Sequence, residues 1–204
     1  MNIVDYQKSM QRTIPSKEDD VEVIHRLKRT FPIGTKEKGL VVAREHRMVL
    51  VMGMHGLLGL MDEAGEIEDA ILRMDKENLE EEIGDAFWYV GLLCISLNTT
   101  IQERQHQPMR FTVLQDNVDA GAYMTKYIGE VACSFKSTLF YGKAKGDALL
   151  ALTGIIQVLV WYALHYDLDL GAILQANQDK LKARYPEKFT TQDAIERKDK
   201  KDGE

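Results

Sequence analysis

The 204-residue sequence predicts an all-α protein built as a helical bundle. Three observations carry that expectation. Apolar residues recur at helical spacing over long stretches. No segment alternates with period two for long enough to read as a strand. Proline is rare, with 4 residues, and aromatics make up 8%, which leaves little room for a turn-rich β-sandwich.

Taken in order, residues 2–12 read as a short helix. Residues 13–39 are mixed, with Pro15, Pro32 and Gly34, and a polar helix is expected near 20–29. From about Leu40 to Met74, Met48, Leu50, Val51, Met54, Leu57, Leu58, Met61, Ile67 and Ile71 recur at helical spacing. Residues 76–78 form a short break. Leu79 to Leu97 is a second long helix, carrying Ile83, Phe87, Val90, Leu93 and Leu97. Residues 98–116 are polar, contain Pro108 and read as a connector. Helices follow near 117–140, 146–166 and 168–184. Tyr185-Pro186 stops the last of them, because proline disfavours helix in the residue before it. Residues 1–190 are read as one domain and 191–204 as a charged tail that frays.

Hydrophobic residues at 45% and charged residues at 28% are the balance of an ordinary globular protein. The formal charge of −6 offers no global field for DNA or RNA, so no nucleic-acid polymer is expected as partner. An acidic surface that still binds an anion usually needs a cation to mediate. Cys94 and Cys133 lie in apolar surroundings and read as small buried hydrophobes. The opening MNIVDYQKSMQR is too polar for a signal peptide. Gly, His or charge breaks the apolar stretches before about 18 residues, so no membrane span is expected. A reducing cytoplasm is the expected location.

A weak internal repeat is visible. Both tryptophans precede a tyrosine, as Trp88-Tyr89 and Trp161-Tyr162. Each pair lies downstream of a Gly-Glu step, Gly65-Glu66-Ile67 and Gly129-Glu130-Val131. Residues 57–97 and 121–170 then read as two copies of one helix pair, within a first half at about 40–100 and a second at about 117–189. In this register Glu63 falls opposite Tyr127, Glu66 opposite Glu130, Glu82 opposite Ile155 and Asp85 opposite Val158. Only the first copy keeps its carboxylates.

Glu63 and Glu66 are spaced i,i+3 and share one helix face; Glu82 and Asp85 do the same on the next helix. A short connection makes the two helices antiparallel neighbours, so the pairs can face each other across a groove. Four carboxylates at one place repel unless something positive sits among them. Hard oxygen ligands in this number suit Mg²⁺ or Mn²⁺. Mg²⁺ shares its shell with substrate phosphates, which points to phosphate-ester or phosphoanhydride chemistry. The bland alternative is two solvated acidic faces, the reading given to Asp62, Glu68, Asp69, Glu80 and Glu81. Apolar runs flank the motifs, and Gly65 and Gly84 inside them each cost about 1 kcal/mol of helix stability against Ala. A glycine in each motif implies close helix approach or room for a ligand. A di-iron carboxylate bundle needs Glu-x-x-His from two helices, and His25, His46, His55, His106 and His165 supply none.

The pattern Glu63-Ala-Gly-Glu66, fifteen intervening residues, then Glu82-Ile-Gly-Asp85 resembles the signature of the MazG-like, all-α NTP pyrophosphohydrolases. The segments DYQKSMQRT, HGLLGLMDEAGEI, EEIGDAFWYV and NQDKLKARYPEKF also resemble that family, over about residues 5–189. The resemblance implies Mg²⁺-dependent hydrolysis of an NTP, by analogy a dNTP, to the monophosphate and pyrophosphate. It implies Glu63, Glu66, Glu82 and Asp85 as metal ligands. Lys180 and Arg184, i,i+4 on the last helix, with Asn177 one turn earlier, become phosphate contacts or a basic helix end. Lys76 is a weaker phosphate candidate. Tyr89 contacts phosphate or base, or packs in the core; Trp88 is core. His55 is a nucleotide contact or an ordinary helix residue. In single-copy relatives the closing N-x-x-K-L-x-x-R-Y-P motif directly follows the E-x-x-D helix; here it follows the second copy. That arrangement resembles the duplicated bundles of dimeric dUTPases. A homodimer or higher homo-oligomer is expected, with a catalytically silent nucleotide-binding bundle as the rival reading.

Overall fold

The computed structural model describes residues 1–10, 44–105, 114, 116–141, 147–187 and 190. Among the described residues there are seven helices and no strand: α1 Ile3–Met10, α2 Arg44–Arg73, α3 Lys76–Ser96, α4 Ile101–Gln105, α5 Asn117–Tyr141, α6 Ala148–His165 and α7 Leu170–Arg184. The all-α expectation holds. The polar helix expected near 20–29, most of the connector around Pro108 and the charged tail lie outside the described residues.

Acidic side chains set most helix starts. Asp75, Asp147 and Asp169 each accept a hydrogen bond from the backbone N–H three residues on, capping α3, α6 and α7. Asp116 does the same for α5 at 3.0 Å. Thr100 and Glu103 form a capping box, each side chain bonding the other's N–H, and this starts α4 inside the stretch expected to be connector.

Three helices end in one motif. After α2, α3 and α6 the residues Met74, Asn98 and Asp167 adopt φ of 56°, 52° and 52°. Their N–H groups, and those of the residues that follow, bond back to the last turn in Schellman fashion. None is glycine, so the usual sequence signal for this ending is missing.

The Met74-Asp75 turn folds α3 back along α2. The register is antiparallel: Glu63 meets Glu82, Gly56 meets Leu92 and Leu93, and Gly53 meets Ser96. The α5 and α6 helices make a second packed pair, with the Tyr127 ring seated on Gly154. The pairs join through α2 against α5 and α3 against α6, while α7 closes over α3 and α1 lies on α3, α4 and α7. Phe87, Ile83, Leu93, Leu152, Ile155 and Tyr162 are among the side chains wholly inside this core.

One premise of the sequence reading, that Gly, His or charge breaks every apolar run before about 18 residues, does not hold for α6. By length and composition α6 is apolar enough to cross a membrane, with a mean hydropathy of 1.8 over Ala148–His165. Its single glycine and terminal histidine do not break the run. In the fold, 67% of that window is buried inside the bundle, as a central core helix requires.

Candidate active site

Helical spacing and the short turn bring the acids together. Glu63 and Glu66 on α2 and Glu82 on α3 each place an oxygen within 4.8 Å of the other two. Glu63 and Glu82 are buried and Glu66 is exposed. Burial pushes the Glu63 and Glu82 carboxyls above the usual carboxylate range, and the charges of Glu66 and Asp85 push them further. Glu63 and Glu82 lie within hydrogen-bonding reach of each other, a contact that needs a proton on one of them, and among the described residues no group donates to the buried Glu63 Oε2. An orphaned buried oxygen among clustered hard donors is the environment that a divalent cation satisfies.

Asp85 lines the same cavity but stands outside this trio. Both of its oxygens are engaged. Oδ1 accepts from Asn177 Nδ2, and Oδ2 accepts from Lys180 Nζ at 2.6 Å. Lys180 also donates to Glu81 at 2.9 Å. Burial alone would lower the Lys180 ammonium, but Asp85 and Glu81 hold it above its ordinary value. Asn177, 4% exposed, sits behind Asp85 and not in the cavity wall. Its Oδ1 accepts from Tyr6 Oη at 2.6 Å, and the same hydroxyl reaches the Gly84 carbonyl at 3.2 Å.

The cavity has a volume of about 520 Å³, within the range of small-molecule sites. Six carboxylates line it: Asp62, Glu63, Glu66, Glu81, Glu82 and Asp85. The basic side chains at hand are Arg184 in the wall and Lys180 beside it. At one end, His55 lies edge-on to Trp88 and Tyr89, with ring centroids 5.6 and 5.7 Å away. Burial lowers the His55 imidazole, although the residue as a whole is exposed. Burial, then the charges of Glu63 and Asp85, pushes the Tyr89 hydroxyl up to about 12, so it stays protonated. The Tyr89 ring lies where a Gly59 Cβ would be. Trp88, expected as core, is both 8% exposed and part of the wall.

The structure thus gathers Glu63, Glu66, Glu82, Asp85, His55, Tyr89 and Arg184 at one cavity, with Lys180 and Asn177 bonded to Asp85 from the side. Lys76 is placed elsewhere: its ammonium donates to the Asp167 carbonyl at 3.2 Å, across the opposite loop. Of the residues read as solvated faces, Asp62 and Glu81 are exposed, as expected, but three of the set have further neighbours. Asp62 and Glu81 line the cavity, and Glu68 accepts a hydrogen bond from buried Tyr162 at 2.7 Å. Sequence reasoning gave no site role to Tyr6 or Tyr185; Tyr185, read as part of the helix stop and of the closing motif, lines the cavity.

The second helix pair carries no matching set. Tyr127, Ile155 and Val158, which the sequence register sets opposite Glu63, Glu82 and Asp85, are buried. Glu130 pairs with Lys126 at 3.9 Å on the outer surface.

Residues 55–105 match the sequence profile of the MazG nucleotide pyrophosphohydrolase domain. The match contains the whole acidic hairpin, from His55 through Asp85 to α4. No curated protein and no solved structure matches the chain.

Proposed function

We propose that this MazG-like protein hydrolyses a nucleoside triphosphate, by family analogy a deoxynucleotide, to the monophosphate and pyrophosphate with Mg²⁺. The observation that carries the reading is the buried Glu63 Oε2, which no donor among the described residues satisfies, within the Glu63–Glu66–Glu82 trio. That feature makes little sense on a helix pair serving only as scaffold, where a buried unpartnered carboxylate oxygen is a cost of about 1–3 kcal/mol. Glu63, Glu66 and Glu82 would hold the ion with Asp85 beside them, and the ion would neutralise phosphate charge and lower the pKa of a bound water.

The chain's own residues supply the rest. A triphosphate entering a wall of six carboxylates needs positive charge beyond one ion. Arg184 lines the wall, and a guanidinium there would suit phosphate oxygens, which it can meet in a planar, two-pronged way. Lys180 offsets Asp85 and Glu81, so those acids do not repel the incoming anion. The His55–Trp88–Tyr89 corner offers ring faces and edges to base or sugar. Mn²⁺ meets the same oxygen set and would substitute.

Glu66→Gln tests the reading most cleanly, because Glu66 is exposed and its loss does not open the core. Turnover is expected to fall at least about a hundredfold while the helical signal by circular dichroism is kept. Activity above about a tenth of wild type, with unchanged metal affinity, would remove Glu66 from the metal site.

A further inference from the structure

The least anticipated feature of the site lies behind it. Tyr6, on α1, is 78 residues from Gly84 and 171 from Asn177 in sequence, yet its hydroxyl bonds both. The side chain is completely buried. Burial, with the Asp85 charge, holds its hydroxyl well above the ordinary tyrosine value, so it is a fixed donor and no proton shuttle. The carboxamide of Asn177 therefore has its oxygen committed to Tyr6, which leaves its Nδ2 turned to Asp85 Oδ1. A flipped amide would set Asn177 Oδ1 against a carboxylate and leave the Tyr6 proton facing an N–H donor. Gly84 makes the arrangement sterically feasible: a Cβ there would stand 3.1 Å from Asn177 Cβ and 3.4 Å from its Nδ2.

We propose that Tyr6 is a positioning residue of the site: through Asn177 it fixes the orientation of Asp85, so that the seating of α1 on α3 and α7 sets the carboxylate at the edge of the metal trio. The inference rests on the metal-site reading above. Seating is itself well defined. Gln7 Oε1 accepts from the Ile101 N–H at 2.9 Å, tying α1 to the start of α4, and Met10 fills the space over Gly91. Asp85 is thus held from two sides by different chemistry. Lys180, partly exposed, balances its charge, and the buried Tyr6–Asn177 pair fixes its direction. Partners one step out from a metal ligand typically change metal affinity about ten- to a hundredfold when removed.

The test uses the full chain and Mn²⁺ as probe, with free Mn²⁺ followed by electron paramagnetic resonance and folding by circular dichroism. Tyr6→Phe keeps the ring and removes only the hydroxyl; it is expected to weaken Mn²⁺ binding about tenfold. Asn177→Leu keeps the volume and removes the amide, and is expected to weaken binding at least as much. The double variant should bind no more weakly than Asn177→Leu alone, because the hydroxyl acts only through the amide. A merely structural tyrosine would lower the melting temperature and leave the Mn²⁺ affinity alone. If wild type binds Mn²⁺ and either single variant binds it within about twofold of wild type, the positioning role is overturned while the metal site stands. Full additivity in the double variant overturns it equally. If wild type itself binds no Mn²⁺, the metal-site reading fails and this inference falls with it.

Discussion

Gly65 and Gly84 occupy the same place in their motifs, one residue before a site carboxylate, yet face different surroundings. A Cβ on Gly84 would press on Asn177, which is buried and hydrogen-bonded at both ends of its amide and so cannot give way cheaply. A Cβ on Gly65 would meet nothing within 4 Å. Of the two expectations for these glycines, close helix approach or room for a ligand, close approach describes Gly84 and open space Gly65. Gly65→Ala is therefore expected to stabilise the protein by about 1 kcal/mol, the helix-propensity difference. Gly84→Ala should destabilise it and lower turnover. Thermal melts of the two variants check this, and a Gly84→Ala protein as stable and active as wild type would contradict the packing described. Glu63 and Glu82 give a residue-scale prediction about pH. Their folded carboxyls titrate above the ordinary glutamate value of 4.5, so the metal-free fold binds more protons than the unfolded chain. Their stabilising contribution is complete below pH 4.5 and is lost as pH rises through neutrality. The metal-free melting temperature should fall between about pH 5 and about pH 9, and Mg²⁺ should flatten that dependence by replacing the protons. A flat metal-free profile would mean that neither burial nor the neighbouring charges raise the two carboxyls.

At the scale of elements, helix type and order were legible because long apolar periodicity survives any tertiary context. The acidic motifs were legible for the same reason: i,i+3 spacing fixes a face before any packing is known. The α2–α3 antiparallel pairing followed from the short break. What was not legible depended on partners distant in sequence. Nothing near Tyr6 marks it as a neighbour of Asn177. Glu68 and Glu81 look solvated until Tyr162 and Lys180 arrive from other helices. The Thr100–Glu103 capping box was a readable local signal that polar composition obscured. Helix ends were blurred because Met74, Asn98 and Asp167 hold left-handed positions usually given to glycine. Met74 tests that last point. It is 91% exposed and has φ of 56°, so its side chain contributes strain and little packing. Met74→Gly should add about 1 kcal/mol, or roughly 2–4 °C in melting temperature for a chain of this size. A lower melting temperature would show that the α2–α3 turn draws its stability from the Met74 side chain.

At the scale of the molecule, two helix pairs share one core and divide the labour. The first pair gathers carboxylates at a cavity; the second buries Tyr127, Ile155 and Val158 and contributes packing. The α7 helix bridges the two roles. It follows the second pair in sequence, yet packs on α3 of the first and delivers Asn177, Lys180 and Arg184 to Asp85 and the cavity wall. That answers how a closing motif displaced by a second helix pair still reaches the acidic hairpin. It also makes the cavity a property of the whole chain, with α1 behind Asp85, α2 and α3 around the acids, and α7 along the side.

The central claim is that this cavity releases pyrophosphate from a nucleotide with the help of a divalent ion. The direct measurement is product analysis after incubation of the full chain with each of the common NTPs and dNTPs, with Mg²⁺ and with excess chelator. The account predicts that at least one nucleotide yields monophosphate and pyrophosphate in equal amounts, only when Mg²⁺ is present. Release of orthophosphate in place of pyrophosphate, equal product with and without the metal, or no product from any nucleotide would contradict it.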